Sequence, residues 1–187
     1  MPLFDHFSLA APFYERFLPF REPEMLLSLL GLPVKGAVLD AGGGTGRVAQ
    51  VVAKQANLVV VIDESKGMLL QAANKPGVRP ARAPSERLPL LDQAFERVIM
   101  VDAFHHVANQ KATASELWRV LQPGGRIVIM EPDIRKFAVK LVAIGEKLAL
   151  MRSHFLTPSE IAKLFPNPKA KVSIETDRFN AYILVEK

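Results

Sequence analysis

Two carboxylates stand at the ends of apolar runs in the first third of the chain. Asp40 ends the run Gly36–Asp40 and is followed by a glycine-rich loop, Gly42–Gly46, while Asp63 follows the apolar run Leu58–Ile62. Glycines let the backbone turn sharply and let a ligand approach without meeting a Cβ. A carboxylate at the second position can accept hydrogen bonds from both hydroxyls of a ribose. The pattern therefore predicts a nucleoside-cofactor site rather than a purely structural turn.

Two adjacent imidazoles are the next candidates for chemistry. His105 and His106 follow the apolar run Phe95–Val101. We expect His106 to pack at the start of a helix, beneath the cofactor. The alternative is that one of the two histidines orients or deprotonates a substrate hydroxyl, because histidine titrates near neutral pH. No metal site is predicted, because no third ligand stands at a matching spacing from the pair.

The composition excludes several other chemistries. The 187 residues include 24 Lys and Arg, 19 Asp and Glu and no cysteine, and the formal net charge is +5. Without cysteine there is no disulfide framework, thiolate zinc site, iron–sulfur cluster or cysteine nucleophile. The charge permits an anionic substrate, a nucleic acid or a lipid surface and selects none of them. The length fits one domain. We expect a cytoplasmic protein, because we find neither a signal-peptide pattern nor a long apolar segment.

These residues must be positioned by alternating strands and helices. Near-continuous apolar strands separated by helices imply a parallel sheet that is covered on both faces. The last two strands lie too close together for a helical crossover and predict an antiparallel hairpin. The predicted strands are 36–40, 58–62, 78–83, 95–101, 126–130, 171–176 and 180–185, and the predicted helices are 47–55, 66–74 after an N-cap at Ser65, 110–121, and 158–165 after a capping box at Thr157.

The glycine-rich loop is compatible with two kinds of cofactor. Gly44–Ala49 fits the relaxed dinucleotide pattern G-x-G-x-x-A, which would indicate a nicotinamide-dependent oxidoreductase. However, Asp40–Gly46 reads D-x-G-x-G-x-G, and a carboxylate close to a pyrophosphate would be electrostatically unfavourable. In this arrangement the chain resembles the class I S-adenosylmethionine-dependent methyltransferases, in which the loop faces the methionine part of the cofactor.

Further segments extend the resemblance over roughly residues 34 to 131. They follow the family's own order and are most similar to the quinone-biosynthesis and other small-molecule methyltransferases of type 11. The segments are Val60–Ser65 with Met68 and Leu69, Ser85–Pro89, Ala94–Val98, Asp102–Val107 and Glu116–Arg126.

The resemblance implies a fold, a cofactor and a set of cofactor contacts. The implied fold is α/β, with a Rossmann-like, seven-stranded, mostly parallel sheet, helices on both faces and an antiparallel C-terminal hairpin. A single domain is expected, with an N-terminal helical lid (1–33), a cofactor-binding core (34–131), and substrate-side helices with the terminal hairpin (132–187). The cofactor is expected to be S-adenosyl-L-methionine. Its implied contacts are Asp40, Ala41, Gly42, Gly44, Gly46, Asp63, Glu64, Met68, Ser85, Glu86, Asp102 and Ala103.

The implied reaction is methyl transfer to a small-molecule acceptor by in-line displacement. The protein then mainly has to align the reactants and exclude water, so no invariant catalytic residue is expected. The candidates are His105, His106 and Tyr14, which belongs either to the lid or to aromatic packing on the sheet; His154 lies where the family places substrate contacts. The alternative function is a cofactor-binding module or partner subunit without turnover, since Pro84 replaces an acid that often binds adenine in the family.

The acceptor can be narrowed by exclusion. The signature of DNA amino-methyltransferases is absent, and cytosine or arsenic methylation would need a cysteine, so no nucleic acid partner is expected. Residues 134–151 are strongly apolar, with Lys136, Lys140 and Lys147 near one helical face. We expect a helix that covers the sheet; the alternative is contact with an anionic membrane or a lipid-like acceptor. The sequence leaves open the acceptor, its attacking atom and the oligomeric state.

Overall fold

One seven-stranded sheet organises the part of the chain that the structure describes. The structure is a computed structural model that describes residue 11 and residues 23–148, 153–165 and 167–187. The strands are β1 Ala37–Ala41, β2 Leu58–Asp63, β3 Val78–Arg82, β4 Phe95–Val101, β5 Leu121–Pro132, β6 Lys171–Thr176 and β7 Asn180–Glu186. They lie side by side in the order β3-β2-β1-β4-β5-β7-β6.

The sheet is parallel from β3 to β5 and antiparallel at the end that carries the hairpin. β1 pairs in parallel with β2 and β4, and the outer pairs β2–β3 and β4–β5 are parallel as well. β7 runs antiparallel between β5 and β6. Since the chain leaves β1 toward β2 and later returns to β4 on the other side, a crevice opens at the carboxyl ends of β1 and β4. The predicted fold class is confirmed.

The helices join these strands and cover the sheet. They are α1 Pro23–Leu30, α2 Ala49–Val52, α3 Lys66–Ala72, α4 Gln110–Val120, α5 Phe137–Leu148 and α6 Pro158–Lys163, with a 3₁₀ turn at Phe104–His106. The Ser65 hydroxyl accepts the Met68 amide at 3.5 Å, as an N-cap does. Thr157 and Glu160 form a reciprocal capping box at the start of α6. Both predicted helix starts are therefore confirmed.

Two predicted boundaries are wrong by three residues or more. The helix predicted over 47–55 is α-helical only over Ala49–Val52, because the amides of Lys54 and Gln55 bond three residues back, to the carbonyls of Val51 and Val52 at 3.3 and 2.9 Å. The strand predicted to begin at Arg126 begins at Leu121, which is fully buried and pairs with Phe95 across a register shift. The Gln122–Gly125 segment is therefore an irregular part of β5 rather than a loop before it.

The core lies on both faces of the sheet. Neighbouring residues of β1 belong to different apolar clusters, Leu39 with Phe104 and Leu117, and Val38 with Leu26, because successive side chains of a strand point to opposite faces. Each of these side chains is fully buried. Parallel strands that are apolar on both faces need helices on both sides, as the sequence predicted.

The described end of the predicted lid is anchored at the edge of the sheet opposite the crevice. Arg97, near the start of β4, donates a hydrogen bond to the Leu30 carbonyl, and Arg126 donates to the Leu29 carbonyl at 3.2 Å. These guanidinium groups satisfy carbonyls that have no partner within α1. Tyr14 and most of the predicted lid, 1–33, lie outside the described residues, so the lid stays a prediction.

Helix α5 differs from its prediction. We expected it to cover the sheet, but Phe137, Leu141, Val142 and Ile144 are all more than half exposed, and among its large apolar side chains Val139 is the buried one in the range 137–147. Among the described residues, no helix combines the length and the apolar character that crossing a bilayer would require. The exposed apolar side chains therefore form a surface patch on α5.

Candidate functional site

The glycine-rich loop leaves β1 where β1, β2 and β4 end. Gly42 and Gly43 donate their amides to the Ile62 carbonyl at 2.7 and 3.2 Å, which fastens the loop to the end of β2. Gly42 has a φ of +67°, and a Cβ added to it would lie 2.6 Å from the Cβ of Ala103. A glycine is required here, since any side chain would force the loop away from the turn after β4.

Asp40 lies beneath this loop, with a relative exposure of 1%. No hydrogen bond of ordinary length and angle reaches either carboxylate oxygen from the described residues, although the Ala49 amide lies close enough to lower the pKa of the carboxyl. Burial raises the pKa of this carboxyl to about 7, opposed by the Arg47 guanidinium and reinforced by the Asp63 carboxylate. A buried carboxylate without partners is costly. It is the kind of group that a cationic ligand, directly or through water, would stabilise.

Asp63, at the end of β2, ties the loop to the start of α3. One carboxylate oxygen accepts the Gly44 amide at 2.9 Å and the other accepts the Ser65 amide at 2.8 Å. The Met68 sulfur would lie 3.9 Å from a Cβ at Gly44. A carboxylate can accept about four hydrogen bonds, so these two backbone contacts are compatible with binding a ribose as well. The structure thus brings together three of the predicted cofactor contacts.

The turn after β4 carries the third predicted acid, Asp102. Its φ is +51°, a conformation that is uncommon for residues other than glycine and that often marks functional sites. Its carboxylate lies 2.5 Å from the guanidinium of Arg47, which follows the glycine-rich loop. Burial raises the pKa of the Asp102 carboxyl, while Arg47 opposes the rise. This ion pair joins the ends of β1 and β4 across the crevice.

Among the other predicted cofactor contacts, Ser85 and Glu86 lie on the segment after β3, and Glu64 directly follows β2. Ser85 is buried and Pro84 is exposed. The Glu86 carboxylate accepts the amides of Ala108 and Asn109 at 2.6 and 3.2 Å. Glu64 is exposed, and its carbonyl accepts the Arg82 side chain at 2.7 Å. Glu86 therefore fastens this segment to the start of α4, and the cofactor roles of Glu64 and Glu86 stay predictions.

The motif at the end of α4 holds the same segment in place. Arg119 donates to the carbonyls of Leu88 and Leu90 at 3.0 and 2.8 Å and pairs with Asp92 at 2.7 Å. Glu116 accepts the Leu88 amide at 2.7 Å and pairs with Arg119. Glu116 and Arg119, both from the Glu116–Arg126 segment named above, thus position the segment that follows Ser85.

Glu131, near the end of β5, organises the turn that carries both histidines. It is 4% exposed, and its carboxylate accepts the amides of Ala103, Phe104 and His105 at 2.9, 2.8 and 3.3 Å. Its Oε2 also lies 2.5 Å from the Nδ1 of His105. One buried carboxylate therefore fixes both the backbone of the turn and the orientation of the His105 ring.

His105 is held on every side. Its ring stacks on Phe155 with 4.3 Å between ring centroids, and its carbonyl accepts the His154 amide at 2.7 Å. Burial lowers the pKa of His105, but the carboxylates of Glu131, Glu146 and Asp102 together more than offset this, and the net direction is upward. His105 is only 4% exposed, so its direct contact with an acceptor stays a prediction. The exposed His154 is linked to this turn through its backbone.

His106 is more accessible and faces a side chain from α5. Its Nδ1 lies 3.4 Å from the Ser153 hydroxyl, which in turn donates to the Glu146 carboxylate at 2.6 Å. The Nε2 of His105 lies 4.0 Å from the same Glu146 oxygen. The structure therefore adds a carboxylate to the pair of imidazoles, although the sequence predicted that the pair had no third partner.

Sequence reasoning missed Arg47, Glu131, Glu146 and Ser153. Glu131 carries the same signal as Asp40 and Asp63, an acid at the end of an apolar run, and could have been found by it. Arg47 could have been found as a cation directly after the loop. Glu146 and Ser153 carry no such signal, since only the packing of α5 and the following segment brings them to the turn.

Comparison with known proteins agrees with this geometry. The sequence profile of the family described as a methyltransferase domain matches residues 39–129. The ubiquinone/menaquinone biosynthesis C-methyltransferase UbiE of Geobacter sulfurreducens is 36% identical over 106 residues, 51% of this chain and 41% of that protein. The demethylmenaquinone methyltransferase of Tropheryma whipplei is 35% identical over 138 residues, 72% of this chain and 58% of that protein.

Residues 39–129 form a methyltransferase domain of the class I S-adenosylmethionine-dependent type, and the curated relatives are named as quinone-biosynthesis methyltransferases. The chain spans about half the length of the curated relatives it matches. Among solved structures, the Haloferax volcanii protein in complex with the Trm112 methyltransferase activator superposes with a TM-score of 0.82 at 16% identity, over 98% of each chain. That likeness shows the fold. Family membership decides between the two cofactor interpretations of the loop and favours the methyltransferase.

The residues of the crevice fit the family's cofactor. S-adenosylmethionine carries a cationic ammonium and sulfonium on its methionine part, and the buried Asp40 carboxylate lacks an ordinary hydrogen-bond partner beneath the loop that faces this part. Asp63 stands at the end of β2, where a ribose would be held. Gly42 keeps the loop free of a Cβ at its closest approach to Ala103. The site thus offers a carboxylate for the amino acid end, another for the ribose, and a glycine surface between them.

Proposed function

We propose that this protein transfers a methyl group from S-adenosylmethionine to a small lipophilic acceptor of the reduced-quinone class. The observation that supports S-adenosylmethionine as the methyl donor is Asp40, a buried carboxylate beneath the glycine-rich loop that lacks an ordinary hydrogen-bond partner. The acceptor class is supported by two relatives, a ubiquinone/menaquinone biosynthesis C-methyltransferase and a demethylmenaquinone methyltransferase.

In this proposal the chain contributes alignment and exclusion of water rather than a strong nucleophile of its own. The cofactor supplies an electrophilic methyl group on sulfur, and transfer is an in-line displacement. The rigid turn Ala103–His106, held by Glu131, forms the wall on the acceptor side of the crevice. A general base is needed only where the acceptor is not already anionic. His106, which is partly exposed, is the candidate in the turn that an acceptor can reach.

The exposed apolar patch on α5 supports a lipophilic acceptor. Phe137 is 76% exposed, and Leu141, Val142 and Ile144 are 54%, 52% and 56% exposed. The same helix carries Glu146, whose carboxylate is linked to His106 through Ser153. An exposed apolar patch on the helix that also carries Glu146 suits an acceptor with an isoprenoid or other hydrocarbon tail.

The test is methyl transfer from cofactor carrying a labelled methyl group to hydroquinones of increasing hydrocarbon chain length. We expect labelled product with the purified protein alone, and faster turnover at low acceptor concentration as the chain lengthens. A Phe137→Ser, Ile144→Ser double variant should lose the dependence on chain length while keeping its affinity for the cofactor. Product from water-soluble acceptors only would contradict the assignment of the acceptor class.

A cofactor-binding subunit without turnover is the second candidate. It is favoured by Pro84, which stands where the family often has an acid for the adenine amino group, and which is exposed. The Haloferax protein solved with its activator makes a partner-dependent member of the fold a concrete alternative. Tight cofactor binding without methyl transfer to any hydroquinone would favour this candidate over the first.

A further inference from the structure

We propose that His105, His106 and Glu146 form a binding site for a divalent transition metal ion. One ligand atom from each residue lies within 4.8 Å of the other two, and the two imidazoles and the carboxylate come from two separate elements, the turn after β4 and helix α5. Two histidines and one carboxylate are a ligand set that proteins use for Zn²⁺ and for other divalent transition metals.

The distances suit a metal after a small adjustment. Ligand atoms bound at about 2.1 Å in a tetrahedral zinc site lie about 3.4 Å apart. In the structure the His105 Nε2 and the Glu146 Oε2 are 4.0 Å apart, too far for a hydrogen bond. Glu146 is carried by a helix whose neighbouring side chains are mostly exposed, so its carboxylate can move toward the ring without disturbing a packed core.

The outer contacts of His105 are those of a metal-binding imidazole. Its Nδ1 faces the Glu131 carboxylate at 2.5 Å, which leaves Nε2 as the atom directed to Glu146. Metal-bound histidines commonly donate their other ring nitrogen to a carboxylate, which fixes the tautomer and the orientation of the ring.

The site is accessible from one side. His105 is buried, whereas His106 and Glu146 are partly exposed. Ser153 bridges the latter two through its hydroxyl, and the metal would replace that bridge. Three protein ligands leave at least one coordination position for water or substrate. Under the proposed function this position would take an oxygen of the acceptor beside the turn; this role, unlike the site itself, rests on the proposed function.

The test is a titration of the untagged, chelator-treated full chain with Zn²⁺ by calorimetry and with Co²⁺ by visible absorption. We expect one metal ion per chain and a Co²⁺ spectrum of low coordination number. The variants Glu146→Gln and His106→Asn should each bind at least about tenfold more weakly. The control His154→Asn removes a nearby exposed imidazole that is not a ligand and should keep its affinity within about twofold.

Three outcomes would overturn the site. These are no saturable binding at one equivalent, affinities of Glu146→Gln and His106→Asn that match the unsubstituted chain, or an equal loss in His154→Asn. Because His106 and Glu146 are partly exposed, both variants should fold, and their thermal unfolding midpoints check this. Cofactor titration of the chelated protein separates the two proposals: zinc binding without cofactor binding would leave the metal site standing and remove the proposed function.

Discussion

Asp40→Asn should make the protein more stable at alkaline pH while weakening its affinity for the cofactor. The substitution keeps the size of the side chain and removes its charge. In the folded protein the pKa of the Asp40 carboxyl is about 7, against 3.8 for the ordinary group. Between these two values the folded state holds a proton that the unfolded state has released. Raising the pH through this range therefore destabilises the fold.

The magnitude follows from the pKa. A pKa that is higher by about three units corresponds to about 4 kcal/mol once both states are ionised, at about 1.4 kcal/mol per unit. Stability from this group is fully present below about pH 4, falls as the pH rises and levels off above about pH 7. Between pH 5 and pH 8 the loss is about 3 kcal/mol, which in a chain of this size is about 6–12 °C in melting temperature.

The assay is urea unfolding of both proteins, without cofactor, at several pH values from 5 to 8.5. The difference between the two free energies of unfolding isolates Asp40, because the groups that face it, Arg47, Asp63 and Lys75, are present in both. We expect the variant's advantage to grow by about 3 kcal/mol over this range. Affinity for S-adenosylmethionine should fall about tenfold, as for loss of a charged hydrogen-bond acceptor.

A second buried aspartate provides the matched control. Asp133 is 1% exposed, but its carboxylate accepts hydrogen bonds from Arg135 at 2.7 and 2.8 Å, and this pairing lowers its pKa. Asp133→Asn should therefore lower stability at neutral pH, the opposite sign. Parallel pH profiles for the unsubstituted protein and Asp40→Asn would refute the reasoning, because they would mean that Asp40 is ionised and stabilised in the protein without cofactor.

Three further predictions follow from the crevice. Asp63→Ala should weaken S-adenosylmethionine binding by about ten- to a hundredfold, through loss of bonds to a charged acceptor, while the exposed Asp92→Ala should not; calorimetry measures both. Gly42→Ala should lower the free energy of unfolding by about 1–3 kcal/mol and reduce cofactor affinity, since it combines a positive φ with a contact of 2.6 Å. Its control, Gly145→Ala in α5, has no atom within 4 Å of the new Cβ and should stabilise the helix by about 1 kcal/mol. An equal loss of unfolding free energy in both variants would contradict the argument. Glu131→Ala leaves the amides of the turn without their acceptor and should cost about 3 kcal/mol or more in urea unfolding, with Glu131→Gln intermediate; an unchanged midpoint for both would exclude the role assigned to Glu131.

The strands and loops expected to bind the cofactor could be predicted because the apolar runs, the acids that follow them and the turn residues all indicated the same arrangement. Asp40 and Asp63 end apolar strands and are followed by turn or capping residues, and a parallel sheet places the ends of such strands at one edge. The capping residues Ser65 and Thr157 were likewise recognised from the sequence alone. The mostly parallel, seven-stranded sheet and its terminal hairpin followed from the resemblance and from connection lengths.

The acceptor side could not be predicted in the same way. Glu146 and His105 are far apart in the sequence, and only the packing of α5 against the turn after β4 joins them. The orientation of α5 was misjudged because an apolar helix pattern does not distinguish a buried face from an exposed apolar patch. The role of Arg47 was not predicted, because its partner Asp102 lies at the end of a different strand.

The most direct test of the central claim is calorimetric titration of the purified chain with S-adenosylmethionine, alongside a titration with NADH. We predict saturable one-to-one binding of S-adenosylmethionine that is weakened in Asp63→Ala, and no comparable binding of NADH. Preferential binding of NADH, or no binding of S-adenosylmethionine to a chain that unfolds cooperatively, would contradict the account.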